Sequence, residues 1–108
     1  MIVRLDPAAR DDIHEATEWY ACRDPRAARR FVAAVEAAMN EITEFPDGPP
    51  RLETWPGQED IRRVLLHRFP YVIVFEVLSG EIVVWSISHT NRKPNHWQDC
   101  RRRLEGRE

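Results

Sequence analysis

The sequence has little of what marks a secreted or membrane-bound chain. Its 108 residues include two cysteines, Cys22 and Cys100, too few and too far apart for a disulfide framework. No apolar run approaches the ~20 residues that span a bilayer, and the N-terminal stretch turns acidic where a signal peptide is apolar. We therefore expect a cytoplasmic protein without membrane association. The length fits a single domain, residues 1–108.

Lysine is almost absent, and charge is unevenly distributed. Fifteen arginines accompany one lysine, Lys93. Arginine favours bidentate contacts with carboxylates and phosphates, although genomic base composition produces the same bias. Residues 1–60 carry 7 arginines and 13 acidic residues, a net charge of -6, whereas residues 61–108 carry 9 basic and 5 acidic residues, a net of +4. This asymmetry favours an acidic partner for the second half.

Two helices are predicted in the first 45 residues. Asp6-Pro7 and Asp24-Pro25 each place an N-cap residue before a proline at the first helical position. The first helix should end near Cys22, and the short link to the second makes an antiparallel helical hairpin. The apolar face of the first helix consists of Ala9, Ile13, Ala16 and Tyr20. The stripe of the second consists of Ala28, Phe31, Val32, Val35, Ala38, Met39, Ile42 and Phe45.

After residue 60 the apolar period changes from 3.6 to 2. Three runs rich in Val, Ile, Phe and Trp, at 61–69, 71–77 and 81–89, predict strands. Ser79-Gly80 predicts a tight hairpin turn between the last two. Pro70 cannot lie inside a central strand, so "FPY" should form the bend between the first two.

The remaining segments complete the predicted fold. Residues 45–60 contain four prolines and should form a loop, in which Trp55 either packs on the sheet or is an exposed anchor. Residues 1–5 predict a short strand, and Pro94 begins a predicted final helix. The pattern predicts an α+β fold: an N-terminal strand, a helical hairpin packed on a twisted antiparallel β-sheet, and a short C-terminal helix.

Several motifs occur in order along nearly the whole chain. The N-terminal pattern is Leu5, Pro7, Ala9, Asp12 and Ile13, and the second helix carries Ala28, Arg30, Phe31 and Val32. The sheet signature is Arg68, Phe69, Pro70 and Tyr71. The closing signature is His89, Arg92, Pro94, Trp97 and Arg101. This ordered set resembles the ParE/RelE toxin superfamily, and its ParE branch in particular.

The resemblance implies the toxin of a bacterial type II toxin–antitoxin pair, of the plasmid-stabilisation kind. A ParE-like toxin is expected to inhibit DNA gyrase and arrest growth, without cofactors, until a cognate antitoxin binds it; operator DNA would be contacted only through the antitoxin. The alternative is a RelE-like, ribosome-dependent mRNA endoribonuclease. A degenerate toxin that only binds its antitoxin is a third hypothesis.

Chemistry favours the binding inhibitor over the ribonuclease. RNA cleavage needs an acid, a base and cations beside the phosphate. RelE-like nucleases resemble one another in taking cations from the central strands, yet here "FPY" is followed by the apolar run Val72–Phe75. A pI near 6.1 also suits a ribosome binder poorly. The alternative would use His89, Arg92 and His96 as its catalytic residues.

The target-binding residues implied by the resemblance to ParE toxins lie near the C-terminus. They are Arg92, Lys93, His96, Trp97 and Arg101. In a purely structural alternative, His89 and Trp97 pack between the edge of the sheet and the last helix. His96 and Cys100, spaced i, i+4, could bind zinc with His89, but no C-x-x-C or paired histidine motif supports this, so no metal is expected. The basic run 100–103 either contacts DNA or an acidic antitoxin or is solvated.

Overall fold

Two helices lie on one face of a four-stranded sheet in the computed structural model, which describes residues 2–90. In chain order the elements are β1 (Ile2–Leu5), α1 (Pro7–Arg23), α2 (Pro25–Glu44), β2 (Ile61–Leu65), β3 (Tyr71–Leu78) and β4 (Glu81–His89). The predicted α+β fold class is confirmed. The helix predicted from Pro94 lies outside the described residues. Within residues 2–90, no helix is long and apolar enough to cross a membrane.

The helical hairpin begins and turns at the two predicted Asp-Pro pairs. Asp6 Oδ2 accepts a hydrogen bond from the Ala8 N–H at 2.9 Å, and Asp24 Oδ1 accepts one from the Arg26 N–H at 3.0 Å. The Asp24 N–H donates to the Tyr20 carbonyl at 2.8 Å. Asp24 therefore ends α1 and begins α2, so no separate loop is needed between them.

The sheet is mixed, in the order β1-β4-β3-β2. β2, β3 and β4 are antiparallel, as predicted, whereas β1 pairs with β4 in parallel. A parallel pair needs a long crossover connection, and the helical hairpin together with β2 and β3 supplies it. Between β3 and β4 the register shifts after Val74: Val74 pairs with Ser86 and Phe75 with Val84, which leaves Trp85 as the extra residue of a β-bulge.

Apolar side chains form two clusters, one on each face of the sheet. The larger lies between helices and sheet and includes the fully buried Phe31, Ile42 and Phe75. The smaller, on the opposite face, contains Leu52, Ile61, Val74, Val83 and Trp85. Trp55 packs against this second cluster and donates a hydrogen bond from Nε1 to Glu59 at 2.9 Å. Of the two alternatives for Trp55, packing on the sheet is the one observed.

Phe45 does not belong to the buried stripe of α2. Its side chain is 64% exposed, and the residue is the C-cap that follows the helix. The buried stripe ends at Ile42 because the chain leaves helical geometry after Glu44, which turns the next side chain away from the sheet.

The link between β2 and β3 is longer than the predicted "FPY". β2 ends at Leu65, four residues before the predicted end of the strand, and residues 66–70 form the connection. Arg68 adopts a left-handed conformation there, with φ of 68°, which reverses the chain. Pro70 lies at the end of this connection, directly before β3, where its missing N–H interrupts no ladder. The predicted turn at Ser79-Gly80 is confirmed, with φ of 79° at Gly80.

Candidate functional site

The aromatic residues of the sheet signature pack against the helical hairpin. The Tyr20 ring of α1 lies 5.2 Å from the Phe69 ring, and the Phe31 ring of α2 lies 5.4 Å from Phe69 and 5.2 Å from Tyr71, centroid to centroid. These three contacts are edge-on, the favourable geometry for aromatic pairs. Phe69 and Tyr71 therefore have a packing role, while Arg68 and Pro70 are exposed.

Beside this aromatic cluster lies a cleft between α1 and the ends of β3 and β4, with a volume of about 500 Å³. Its lining residues are Asp12, Glu15, Ala16, Trp19, Tyr20, Pro70, Tyr71, Ile87 and His89. We call it the α1 cleft. The α1 residues are spaced by three or four positions, so they project from one helical face.

A helix-to-sheet hydrogen bond and a contact between two rings lie at the floor of the α1 cleft. Asp12 Oδ2 accepts from the Ile87 N–H at 3.0 Å, which ties α1 to β4 beyond the end of β1. Tyr71 and His89 are register partners across β3 and β4, with ring centroids 5.3 Å apart at 77°. The predicted residue His89 thus lies in a concave site.

Trp19 forms the outer wall and is 51% exposed. Its ring meets Tyr20 edge-on at 5.1 Å. The Arg23 guanidinium lies 3.6 Å from the Trp19 ring centroid and donates from Nη1 to the Trp19 carbonyl at 3.1 Å. Arg23 is not among the lining residues, so this cation–π pair holds the indole without filling the cleft.

The α1 cleft is acidic. Among residues 2–90, its lining contains two carboxylates, those of Asp12 and Glu15, and no lysine or arginine. Burial, followed by the charge of nearby Tyr71, raises the pKa of the Tyr20 hydroxyl, so Tyr20 is neutral at physiological pH. Such a site attracts cations and repels phosphate groups.

The structure brings only part of the predicted site together. His89 lies in the α1 cleft and the signature Arg68, Phe69, Pro70 and Tyr71 lies beside it. The remaining predicted residues lie outside the described residues: Arg92, Lys93, His96, Trp97, Cys100 and Arg101. Within residues 2–90, no three His, Cys, Asp or Glu side chains are grouped as a metal site would require.

Sequence reasoning did not identify Glu15 and Trp19 as parts of a site. Neither residue belongs to the apolar face from which the packing of α1 was predicted. The signal was present in their spacing from Asp12, since three and seven positions place all three side chains on one face.

Comparison with known proteins decides the family. The family model described as "ParE toxin of type II toxin-antitoxin system, parDE" matches residues 3–94. The chain belongs to this ParE toxin family. The match includes the whole α1 cleft, whereas His96, Trp97 and Arg101 lie beyond it.

The fold of this ParE family member also matches a solved structure. A chain of the chromosomal ParDE toxin–antitoxin system from P. aeruginosa superposes with a TM-score of 0.71 at 22% identity. The alignment covers 82% of this chain and 95% of the other. At this identity the likeness establishes the fold. No curated protein matches the chain.

Proposed function

We propose that this ParE family toxin arrests bacterial growth by binding and inhibiting DNA gyrase, and that a cognate antitoxin neutralises it. The family match over residues 3–94 carries the proposal, because it includes five described elements whole and all of β1 except Ile2. The mechanism is binding rather than bond breaking, and it needs no cofactor. The antitoxin is proposed to regulate operator DNA, so the toxin meets DNA only through it.

The electrostatics of the α1 cleft support a binding inhibitor over a ribonuclease. Cleavage of RNA requires cations positioned at the developing phosphate charge. His89, the described member of the alternative catalytic set, shares its cleft with Asp12 and Glu15 instead. β3 begins with Tyr71, Val72 and Ile73 and so presents no cation beside His89. A phosphodiester approaching His89 would therefore meet two negative charges.

The proposed target-binding residues are Arg92, Lys93, His96, Trp97 and Arg101. Arginine and tryptophan are enriched at interface hot spots, because a large flat side chain gains much contact area per ordered group. The antitoxin is proposed to bind elsewhere, through a flexible C-terminal segment that folds on the toxin. Such a segment can add to a sheet edge or lie in a groove beside a helix.

A supercoiling assay with purified gyrase tests the proposed target. Excess toxin should inhibit supercoiling of relaxed plasmid, and an equimolar amount of the cognate antitoxin should restore it. In parallel, translated mRNA should remain intact in a cell-free translation mixture. Uninhibited gyrase together with mRNA cut at the ribosome would establish the ribonuclease instead, whereas neither effect, with no growth arrest, would indicate a degenerate toxin.

The target-binding residues are tested by charge-matched double variants. Arg92→Ala with Lys93→Ala should weaken gyrase inhibition at least ten-fold, the size of effect typical of interface hot spots. Arg10→Ala with Arg29→Ala removes the same charge from exposed helical positions and should leave inhibition unchanged. Equal inhibition by both double variants would place the target surface elsewhere.

A further inference from the structure

The side of α2 that faces away from the sheet carries a regular row of exposed residues. They follow one another at alternating spacings of four and three, as in a coiled coil: Arg26, Arg30, Ala33, Ala37, Asn40 and Glu44. We call this row the outer seam. We propose that two copies of this chain associate through it, with their α2 helices antiparallel about a two-fold axis. This goes beyond the proposed function, because gyrase inhibition does not invoke this surface.

The outer seam lies opposite the face that α2 buries against the sheet. Ala33 is two positions from both Phe31 and Val35, which is about 200° around a helix of 3.6 residues per turn. The buried residues of α2 also repeat at spacings of three and four: Ala28, Phe31, Val35, Ala38 and Ile42. The helix can therefore pack on its own sheet and on a second helix at the same time.

The charges of the outer seam are complementary to their own reverse order. In an antiparallel pair centred on the middle of the seam, Arg26 lies opposite Glu44 of the second copy. Arg30 lies opposite Asn40, whose carboxamide oxygen can accept from the guanidinium. Each contact forms twice, because a two-fold interface is isologous. A parallel pair would place like charges together at both ends, so the pattern selects the antiparallel arrangement.

The two terminal charges of α2 are the reverse of those that a helix dipole favours. Arg26 lies in the first turn and Glu44 is the last residue. Within residues 2–90, Glu44 has no ion pair, and Arg26 meets the Asp24 carboxylate at 3.6 Å with its own side chain 78% exposed. In the antiparallel pair, a carboxylate of the second copy reaches the N-terminus of α2 and a guanidinium reaches its C-terminus. Both dipoles are then matched.

The centre of the outer seam permits close approach of the two helices. Helices pack with their axes about 8–10 Å apart, according to the side chains at the contact. Ala33 of one copy lies opposite Ala37 of the other, and both are exposed in the single chain. Small side chains here let the charged groups at the two ends reach one another. The alanines set the distance, while the charges set the partner and its direction.

Sedimentation velocity of the full-length chain tests the proposal. One helix-to-helix contact is small for an interface, so we expect a reversible monomer–dimer equilibrium at concentrations up to about 1 mM. The weight-average sedimentation coefficient should then rise with protein concentration. A chain that stays monomeric throughout this range overturns the proposal. The samples contain neither gyrase nor antitoxin, so this failure is distinguishable from a failure of the proposed function.

Charge reversal tests the antiparallel pairing. Arg26→Glu and Glu44→Arg should each weaken self-association at least ten-fold, because each places like charges opposite one another at both ends of the pair. An equimolar mixture of the two variants should associate again, since every terminal contact of the mixed dimer joins opposite charges. The double variant Arg26→Glu with Glu44→Arg should self-associate like the unmodified chain. If neither the mixture nor the double variant associates, the pairing is wrong.

Arg10→Glu is the matched control for Arg26→Glu. Arg10 is an exposed arginine near the start of α1, outside the outer seam, so its reversal should leave self-association unchanged. Equal weakening by the two variants would mean that net charge governs association, which overturns the assignment to the seam. Circular dichroism verifies that each variant is folded, as expected because both reversals on α2 agree with the helix dipole.

Discussion

At the scale of single residues, the phenylalanine inside α2 and the one that follows the helix differ in how much they contribute to stability. Phe31 is fully buried and contacts three aromatic rings, whereas Phe45 is 64% exposed. Phe31→Ala should lower the free energy of unfolding by about 3–5 kcal/mol, because it removes a buried ring and leaves a cavity. Urea unfolding followed by circular dichroism measures this change.

Phe45→Ala is the matched control for Phe31→Ala. The same atoms are removed from an exposed position, so the change in unfolding free energy should stay within about 0.5 kcal/mol. A loss comparable to that of Phe31→Ala would show that Phe45 is covered in solution. The two residues are two heptads apart, so the helical period alone predicts equal burial. The difference between the two variants therefore shows the effect of the helix end, which the period does not indicate.

Tyr20 gives the protein a pH dependence at the alkaline end. Burial and the nearby Tyr71 raise the pKa of the Tyr20 hydroxyl in the folded state above its unfolded value of about 10. The stabilisation is therefore fully present below pH ~10 and is lost as pH rises through the folded-state pKa. The free energy of unfolding should therefore fall as pH rises above about 10, and less steeply in Tyr20→Phe.

Tyrosinate absorbance near 295 nm provides the independent check on Tyr20. The chain has two tyrosines, so the titration of Tyr20→Phe reports Tyr71 alone and the difference from the unmodified chain reports Tyr20. Tyr71→Phe should shift the Tyr20 titration toward lower pH, because it removes the second cause of the raised pKa. An unchanged Tyr20 titration in that variant would assign the whole effect to burial.

At the scale of secondary-structure elements, Asp24 serves two helices at once. Its carboxylate caps α2, and its N–H caps α1 by donating to the Tyr20 carbonyl. Asp24→Ala should cost about 0.5–2 kcal/mol in the free energy of unfolding, while Asp24→Asn should retain most of the stability, because asparagine also caps well. Chemical denaturation of the two variants distinguishes the cap from the exposed ion pairs with Arg26 and Arg30. If Asp24→Asn lowers the free energy of unfolding as much as Asp24→Ala does, the ion pairs rather than the cap stabilise the junction of the two helices.

The elements that were predictable are those with local signals. Asp6-Pro7 and Asp24-Pro25 fix both helix starts because capping depends only on neighbouring residues. The parallel pairing of β1 with β4 was not predictable, since it joins residues about 80 positions apart and leaves no local pattern. The extent of the turn at 66–70 was missed because Arg68 takes a left-handed conformation that sequence favours for glycine or asparagine.

The α1 cleft was only partly predictable for the same reason. His89 was identified because it belongs to the closing signature. Glu15 and Trp19 line a cleft only because α1 packs beside β4, which the sequence does not indicate. Spacing on a helix shows which side chains share a face but not what that face meets. The composition of the α1 cleft therefore depends on the tertiary contact between Asp12 and Ile87.

At the scale of the whole molecule, charge is divided between the described body and the C-terminal segment. Residues 1–90 carry 10 arginines and 15 acidic residues, a net of -5, whereas residues 91–108 carry 6 basic and 3 acidic residues, a net of +3. All three cationic residues of the proposed target surface, Arg92, Lys93 and Arg101, are in the second segment. An acidic body with a basic recognition segment steers an acidic partner surface toward one orientation.

This division predicts that gyrase inhibition depends on ionic strength. Charges that steer association are screened beyond a Debye length of about 10 Å at 0.1 M salt and about 8 Å at 0.15 M. The toxin concentration for half-maximal inhibition should therefore rise several-fold between 0.05 M and 0.2 M potassium glutamate. Arg92→Ala with Lys93→Ala should flatten that dependence, whereas Arg10→Ala with Arg29→Ala should largely preserve it, because it leaves the basic recognition segment intact. Gyrase activity without toxin at each salt concentration is the reference, and a salt-independent inhibition by the unmodified chain would show that apolar contacts, not arginine and lysine, dominate recognition.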